Sequence, residues 1–362
     1  MNKKLLDLYA DYLISSFGQT TATGLARLLE GAVSHDAITR LLANQGQAFT
    51  SRDLWHLVKP LARQIATPEA VLIVDDTVQE KPHTDESELI CWHYDHAQGK
   101  SVKGLNLLTC LYHSQEVSLP VAFELIRKTE LVTDAKTGQP KKRSPQTKNE
   151  LYRQMLGACC HNRLAFRFVL NDVWFASAEN MRYVKGELHK DFVMPLKSNR
   201  KVALSLTEQQ QNSYGTITSI PLEEHALRQV YLEEVPFPLL LAKQVFTNKH
   251  GEQSVLYLVC SDTMLTYEQI TALYQRRWKV EEYHKSLKQN AALAKSPAKS
   301  VVTQSNHCFA AIYGFIKLER LKLKTQLGHF ALRAKLYQQA LTIAYQQIQK
   351  MASAKPPMPC SA

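Results

Sequence analysis

The run Val71-Leu72-Ile73-Val74, followed at once by Asp75, Asp76 and Thr77, constrains the fold more than any other stretch of the chain. Four consecutive apolar residues without polar alternation suit a strand covered on both faces, and hence a layered α/β arrangement. Such a strand delivers two acids to its carboxyl end, where buried charge is costly unless compensated. A second run, Leu164 to Leu170, ends in the same way at Asn171 and Asp172. Open α/β sheets carry their functional groups along that edge. One aspartate in such a place is commonly the cap of a strand-to-helix turn; acids from two strands at one edge ask for more.

Between these runs, Gly104 to Tyr112 and Val117 to Ile126 read as a hairpin joined by the short link His113 to Glu116. The segment CWHYDHAQGKSVKG before it carries His93 and His96 near Asp95. With no third ligand placed nearby, a substrate-facing or packed loop is preferred over a metal site. From Arg127 to Lys148 the apolar pattern disappears, and Lys141, Lys142 and Arg143 sit in a basic loop. Loops of this kind are usually solvated surface; beside the hairpin it can also be a phosphate-contacting or flexible flap. Thr147 and Glu150 form a capping box for a helix through Leu156 and Cys160. A helix around Ser177 to Leu188 and a strand from Phe192 to Leu196 follow.

The third acid comes from Tyr274 to Lys288, YQRRWKVEEYHKSLK, which lacks Gly and Pro. Tyr274, Arg277, Glu281 and Lys288 lie at offsets that fall within an arc of about 60° on one helix. Leu273, Val280 and Leu287 form an anchoring stripe beside them. One carboxylate among cations suggests a metal ligand beside a phosphate; a solvated amphipathic helix with i,i+4 pairing explains the same pattern.

Charge narrows the partner. The chain has 362 residues, 44 Lys+Arg against 33 Asp+Glu, a net charge of +11 and a pI near 9.2, which favours a polyanion, nucleic acid first. Seven scattered cysteines without C-x-x-C spacing argue for reduced thiols in a cytosol and against zinc. No apolar run approaches the length of a membrane span, and Asp7 and Asp11 interrupt the N-terminal apolar stretch, so neither export nor spanning is expected.

The expected organisation is a helical region over 1–66, the first part of an α/β core over 67–199, a mostly β insertion over 200–260, a helix completing the core over 261–294, a C-terminal helical region over 295–352 and a disordered Pro-rich tail over 353–362. In the first region two short helical patterns meet at Gly31, the second capped by Ser34. They form either a helix-turn-helix offering His35, Asp36, Thr39 and Arg40 to a DNA groove or a plain docking module. Within the insertion, Ile217 to Leu222, Leu227 to Val235, Leu239 to Thr247 and Ser254 to Cys260 read as strands, with a hairpin turn at Asn248 to Gly251.

Asp75 and Asp172 ending adjacent strands, with Glu281 packed across the same sheet, would repel one another strongly and need bound cations at neutral pH. Hard oxygen ligands with no His or Cys nearby favour Mg²⁺, with Mn²⁺ in its place. Two such ions can serve phosphodiester displacement. A glycoside hydrolase using two of the carboxylates is disfavoured by the basic surroundings and the scarcity of Trp near the acids.

With these residues the chain resembles the bacterial insertion-sequence transposases of the DDE class that carry a Tyr-x2-Arg-x3-Glu-x6-Lys signature. Tyr274, Arg277, Glu281 and Lys288 match it at every position; Asp75 and Thr77 in IVDDT match the first aspartate, and Asp172 in VLNDVWF the second. The likeness runs from about Val71 to Gln289. It implies a ribonuclease-H-like mixed sheet with a β insertion, flanked by helical regions. It also implies Mg²⁺-dependent nicking of double-stranded DNA at the terminal inverted repeats and joining of the freed 3′-hydroxyl to target DNA. A homodimer in the synaptic complex and a place in the bacterial cytoplasm at the nucleoid come with it. The implied metal ligands are Asp75, Asp172 and Glu281. Tyr274, Arg277 and Lys288 are implied to hold the terminal strand. Arg276, Trp278 and Lys285 on the same segment, Lys141, Lys142 and Arg143 in the basic loop, and Arg40 are further expected DNA contacts. A related nuclease or resolvase, or a non-catalytic DNA-binding descendant, is the alternative. Some relatives stack a flipped base on a Trp of the insertion, which residues 200–260 lack; Tyr214, Tyr231, Tyr257, Trp174 or Trp278 can substitute. Asp76 beside Asp75 leaves a choice of register, taken as Asp75 because it keeps one residue before Thr77 and alternate strand residues share a face.

Overall fold

The computed structural model describes residues 2–95, 99–133 and 138–353. His96, residues 134–137 of the basic loop and the tail from 354 to 362 lie outside the described residues. Four helices open the chain: α1 (Lys3–Ser15), α2 (Ala22–Leu28), α3 (His35–Ala43) and α4 (Ser51–Gln64). Ser34 caps α3, its Oγ accepting from the Ala37 N–H at 3.2 Å. There follow β1 (Val71–Glu80), β2 (Cys91–Asp95), β3 (Lys100–Ser114), β4 (Val117–Leu125), β5 (Glu130–Thr133), β6 (Pro140–Arg143), α5 (Lys148–His161), β7 (Phe168–Asn171), α6 (Ala178–Arg182) and β8 (Asp191–Leu196). Then come β9 (Lys201–Ala203), α7 (Leu206–Gln210), β10 (Gly215–Thr216), β11 (Leu227–Leu232), β12 (Leu239–Thr247) and β13 (Gln253–Cys260). The last helices are α8 (Tyr267–Gln275), α9 (Trp278–Asn290), α10 (Val301–Thr325) and α11 (His329–Ser353).

The centre of the fold is a mixed sheet in the order β4-β3-β1-β7-β8. β1, β3 and β4 run antiparallel in succession, while β7 is parallel to β1 and β8 parallel to β7. These are the order and directions of a ribonuclease-H-like core. Val71 to Val74 are wholly buried, as a strand covered on both faces must be. β3 turns into β4 through Gln115 and Glu116, both at positive φ, the two-residue turn whose twist matches a hairpin. Past β8 the sheet continues through β13, β12, β11, β9 and β10, so the strands between residues 200 and 260 lengthen the central sheet.

Three local expectations change. The stretch with His93 is a strand, β2, whose Cys91 and His93 face inward while Trp92 and Tyr94 face solvent. It pairs with the first residues of the long β3, and β4 pairs with the remainder, so both share one edge of β3. Gly104 makes this crossing possible, because a Cβ there would lie 2.2 Å from the Gln79 carbonyl oxygen. Ile217 to Leu222 is no strand but a single 3₁₀ turn over Ile217–Ser219; Pro221 supplies no N–H for a ladder. The segment from Tyr274 to Lys288 is not one helix. It bends at Arg276 and Arg277, whose N–H groups donate to Leu273 and Tyr274 three residues back, the tighter pattern of a 3₁₀ turn.

α10 is the helix on which the terminal regions converge. It packs against α1, α3, α4 and β4 and is buried over most of Gln304 to Glu319, polar side chains included. Asn306 inside it accepts from the Phe49 N–H at 2.7 Å and donates to the Leu42 and Gln47 carbonyls at 2.8 and 3.0 Å. Three main-chain groups of the N-terminal helices thus find their partner in one buried amide.

Candidate active site

β1 and β7 run side by side in parallel with Val74 opposite Asn171, so one further residue brings Asp75 and Asp172 to the same end of the sheet. α9 packs on β1, anchored by the wholly buried Val280 and Leu287 and by Tyr283, whose ring meets Phe315 edge-on at 4.7 Å. This packing turns Glu281 toward the strand end. Asp75, Asp172 and Glu281 all line one cleft of about 1200 Å³, larger than the ~300–1,000 Å³ typical of small-molecule pockets.

The charges in the cleft are unevenly compensated. Asp76 has partners of its own: the Lys148 ammonium and the Asn106 amide both donate to its Oδ2 at 2.7 Å. Asp75 is buried and faces the Arg277 guanidinium at 3.8 Å. Burial, then Asp172, Asp76 and Glu281, push its carboxyl well above the usual range, against the pull of Arg277. Asp172 is raised by burial and by Asp76, opposed by the Phe175 and Trp174 N–H groups. The Trp174 N–H donates to Asp172 Oδ1 at 3.0 Å, so this aspartate also caps a turn, as any strand-end aspartate can. Arg277 donates to Glu281 Oε1 at 3.3 Å. Burial works against its own charge, yet Tyr274, Asp75 and Glu281 more than offset that.

The expected DNA contacts divide into two groups. Tyr274, Arg277, Lys285, Lys288 and Arg143 line the cleft; Arg276, Trp278, Lys141, Lys142 and Arg40 are not among its lining residues. Tyr274 lies under the guanidinium of Arg277, 5.8 Å from ring centroid to Cζ, and burial pushes its phenol up to about 12. Lys288 donates to the Val78 carbonyl at 2.9 Å, and burial lowers its pKa. Arg276 donates instead to the Glu69 carbonyl at 3.1 Å, and Lys142 pairs with Glu86 at 3.1 Å. Trp278 is 62% exposed, and Arg40 stands on the exposed side of α3. The basic loop holds the small sheet of β5 and β6, pinned by Arg143 to Glu130 at 3.1 Å.

One residue at the site escaped the sequence reading. The sequence suggested no histidine beside the acids, yet His284 presents a ring nitrogen in a group with Asp75 and Glu281 whose ligand atoms all lie within 4.8 Å of one another. Its signal was available, since residues three apart on a helix share a face. Lys148, the first residue of α5, closes the basic loop read from the sequence, but its pairing with Asp76 carried no signal because the two lie far apart in sequence. The donor set of two carboxylates and a neutral imidazole suits a divalent cation.

A family model described as DDE superfamily endonuclease matches residues 2–218, which include Asp75 and Asp172 and end before Glu281. No curated protein matches the chain. Among solved structures, the Drosophila P element transposase strand transfer complex is similar at 10% identity and a TM-score of 0.28, over 57% of this chain. The match spans 47% of that chain, so this protein corresponds to about half the length of that relative. With strand-end acids meeting in a basic cleft and the family model covering more than half of its length, the chain belongs to the DDE superfamily endonucleases.

Proposed function

We propose that this protein is an insertion-sequence transposase of the Tyr-x2-Arg-x3-Glu-x6-Lys group. In this reading it binds the terminal inverted repeats of its element, hydrolyses a phosphodiester there and joins the 3′-hydroxyl ends to target DNA. The observation that carries it is the gathering of Asp75, Asp172 and Glu281 in one cleft rimmed by Arg277, Lys148, Lys285 and Lys288. Asp75, Asp172 and Glu281 would hold Mg²⁺, with Mn²⁺ as substitute, and two ions suit the number of carboxylates. When bound, such ions lower the cost of charge on the attacking and leaving oxygens. The raised carboxyl of Asp75 fits a site that waits for cationic charge. Arg277 and Lys288 orient the strand by its phosphates, and Lys285 and Arg143 extend the track along the cleft.

The N-terminal helices are read as a DNA-binding region, with Arg40 exposed on α3. The residues Phe330, Ala334, Tyr337, Leu341, Ala344, Ile348 and Met351 on α11 repeat alternately four and three apart. Phe330, Tyr337, Leu341, Ile348 and Met351 are exposed. That spacing is the seam of a coiled coil, which supports a homodimer in the synaptic complex. Among the described residues no helix is long and apolar enough to cross a membrane, and a place on the bacterial nucleoid accords with the basic charge.

The test is incubation of purified protein with DNA carrying the repeats that flank its own coding region, in the presence of Mg²⁺. Wild type should nick at the repeat ends and transfer them, whereas Glu281→Ala should do neither while still shifting the DNA. Cleavage that persists in the variant refutes the site; equal affinity for random DNA refutes end recognition.

A further inference from the structure

His284 is buried, one helical turn beyond Glu281 on α9, and lines the cleft. Among the described residues its Nε2 has no hydrogen-bond partner. Leaving a buried polar atom unsatisfied is unfavourable. A neutral imidazole keeps a lone pair free for coordination. One of its nitrogens falls in a group with carboxylate oxygens of Asp75 and Glu281, all within 4.8 Å of one another. Ligand atoms on one cation, at bonds of about 2.1 Å, lie up to roughly 4.2 Å apart, so a small inward movement of side chains closes the group on an ion.

We propose that His284 supplies a nitrogen ligand to the cation held by Asp75 and Glu281, which makes this position selective for Mn²⁺ over Mg²⁺. The inference rests on the acid cluster being a metal site, as proposed above, and adds a donor from a different element of the periodic table. Mg²⁺ takes oxygen ligands and dehydrates reluctantly. First-row transition ions accept imidazole, with affinity rising beyond Mn²⁺ along the series. One imidazole in an otherwise carboxylate site therefore biases the choice of metal without abolishing Mg²⁺ binding. Among the described residues no other histidine meets both conditions: His93 also lines the cleft, but its Nε2 is 3.2 Å from the Cys91 sulfur.

The experiment is pulsed electron paramagnetic resonance of Mn²⁺ added to the full-length protein without DNA, with titration of Mn²⁺ and Mg²⁺ alongside. The wild-type spectrum should show nitrogen coupling from a directly bound imidazole, replaced by the ¹⁵N pattern when histidine is ¹⁵N-labelled. In His284→Gln the coupling should vanish and Mn²⁺ affinity fall by at least about tenfold, with Mg²⁺ affinity falling much less. Mn²⁺ bound by wild type without nitrogen coupling overturns the role of His284 and leaves the acid site standing. Coupling that survives in His284→Gln assigns the nitrogen to another residue and overturns it equally. Failure of wild type to bind Mn²⁺ at all instead refutes the acid cluster as a metal site. The wild-type spectrum decides the question even should the variant fold poorly.

Discussion

Arg277 is the cation that faces both Asp75 and Glu281, and replacing it with Gln should expose how much they repel. The guanidinium stands 3.8 Å from Asp75 and 3.3 Å from Glu281. At such separations a pair is worth about 4 kcal/mol at an effective dielectric near 20. The half-exposed Glu281 contributes little of this through solvent screening. Part of the Asp75 attraction is returned as hydration when the buried guanidinium is removed. A net loss of about 2 kcal/mol remains, which for a chain of this size lowers Tm by roughly 2–3 °C. The pH dependence has a definite sign. Asp75 has a raised folded-state pKa, so the native protein holds that proton more tightly than the unfolded chain does. Its effect on stability is absent at acid pH and becomes unfavourable as pH rises from the usual carboxylate value through the folded one. Arg277→Gln raises the folded value further, so the variant should match wild type in acid and fall behind toward neutral pH. Calorimetric melts of the metal-free protein across pH measure this, and saturating Mn²⁺ should narrow the gap because added cation replaces the missing one. A gap that is the same at every pH and untouched by Mn²⁺ would show that Arg277 acts by packing on Tyr274 and not by charge.

The two neighbouring aspartates should separate: Asp75→Ala abolishes divalent-dependent cleavage, while Asp76→Ala, which frees Lys148 and Asn106, only weakens it. The reverse outcome in a cleavage assay moves the metal to Asp76. Glu282 pairs with Lys279 at 3.2 Å on the exposed side of α9; Glu282→Ala should cleave within about twofold of wild type, since neighbours on a helix point about 100° apart. Tyr283→Ala removes a wholly buried ring beneath Glu281 and should cost about 3–5 kcal/mol in denaturant unfolding, and a loss under 1 kcal/mol would mean the anchor of α9 lies elsewhere. Asn306→Leu leaves the Phe49 N–H and two carbonyls without partners and should cost about 2–4 kcal/mol. Hydrogen exchange should then quicken first in α3 and the turn after it, and uniform protection there would refute the docking role of Asn306.

Much of this architecture is legible in one dimension because it rests on local chemistry. Val71 to Val74 announces a strand covered on both faces, the Ser34 and Thr147 caps announce the starts of α3 and α5, and Leu239 to Thr247 is a strand at its expected bounds. Strand-end acids are equally visible, as an abrupt change from apolar to charged. What failed locally failed for identifiable reasons. β2 is hidden in a polar stretch because only pairing with β3 makes it a strand, and the bend at Arg277 leaves every helical periodicity intact. The insertion announces strands but not that β13 pairs with β8.

The sequence by itself determined which residues could act, since an acid at the end of an apolar run and a carboxylate among cations are composition and spacing alone. Only the tertiary structure decided which of them meet. Neighbouring positions such as Asp75 and Asp76 differ by the partners that distant segments bring: Lys148 and Asn106 both donate to Asp76, while Asp75 faces Asp172, Glu281 and the more distant Arg277 guanidinium. His284 joins them because α9 lies across β1, and Arg276 leaves because the helix bends. Spacing fixes direction along one element; only packing between elements brings charges within the few ångströms over which they act.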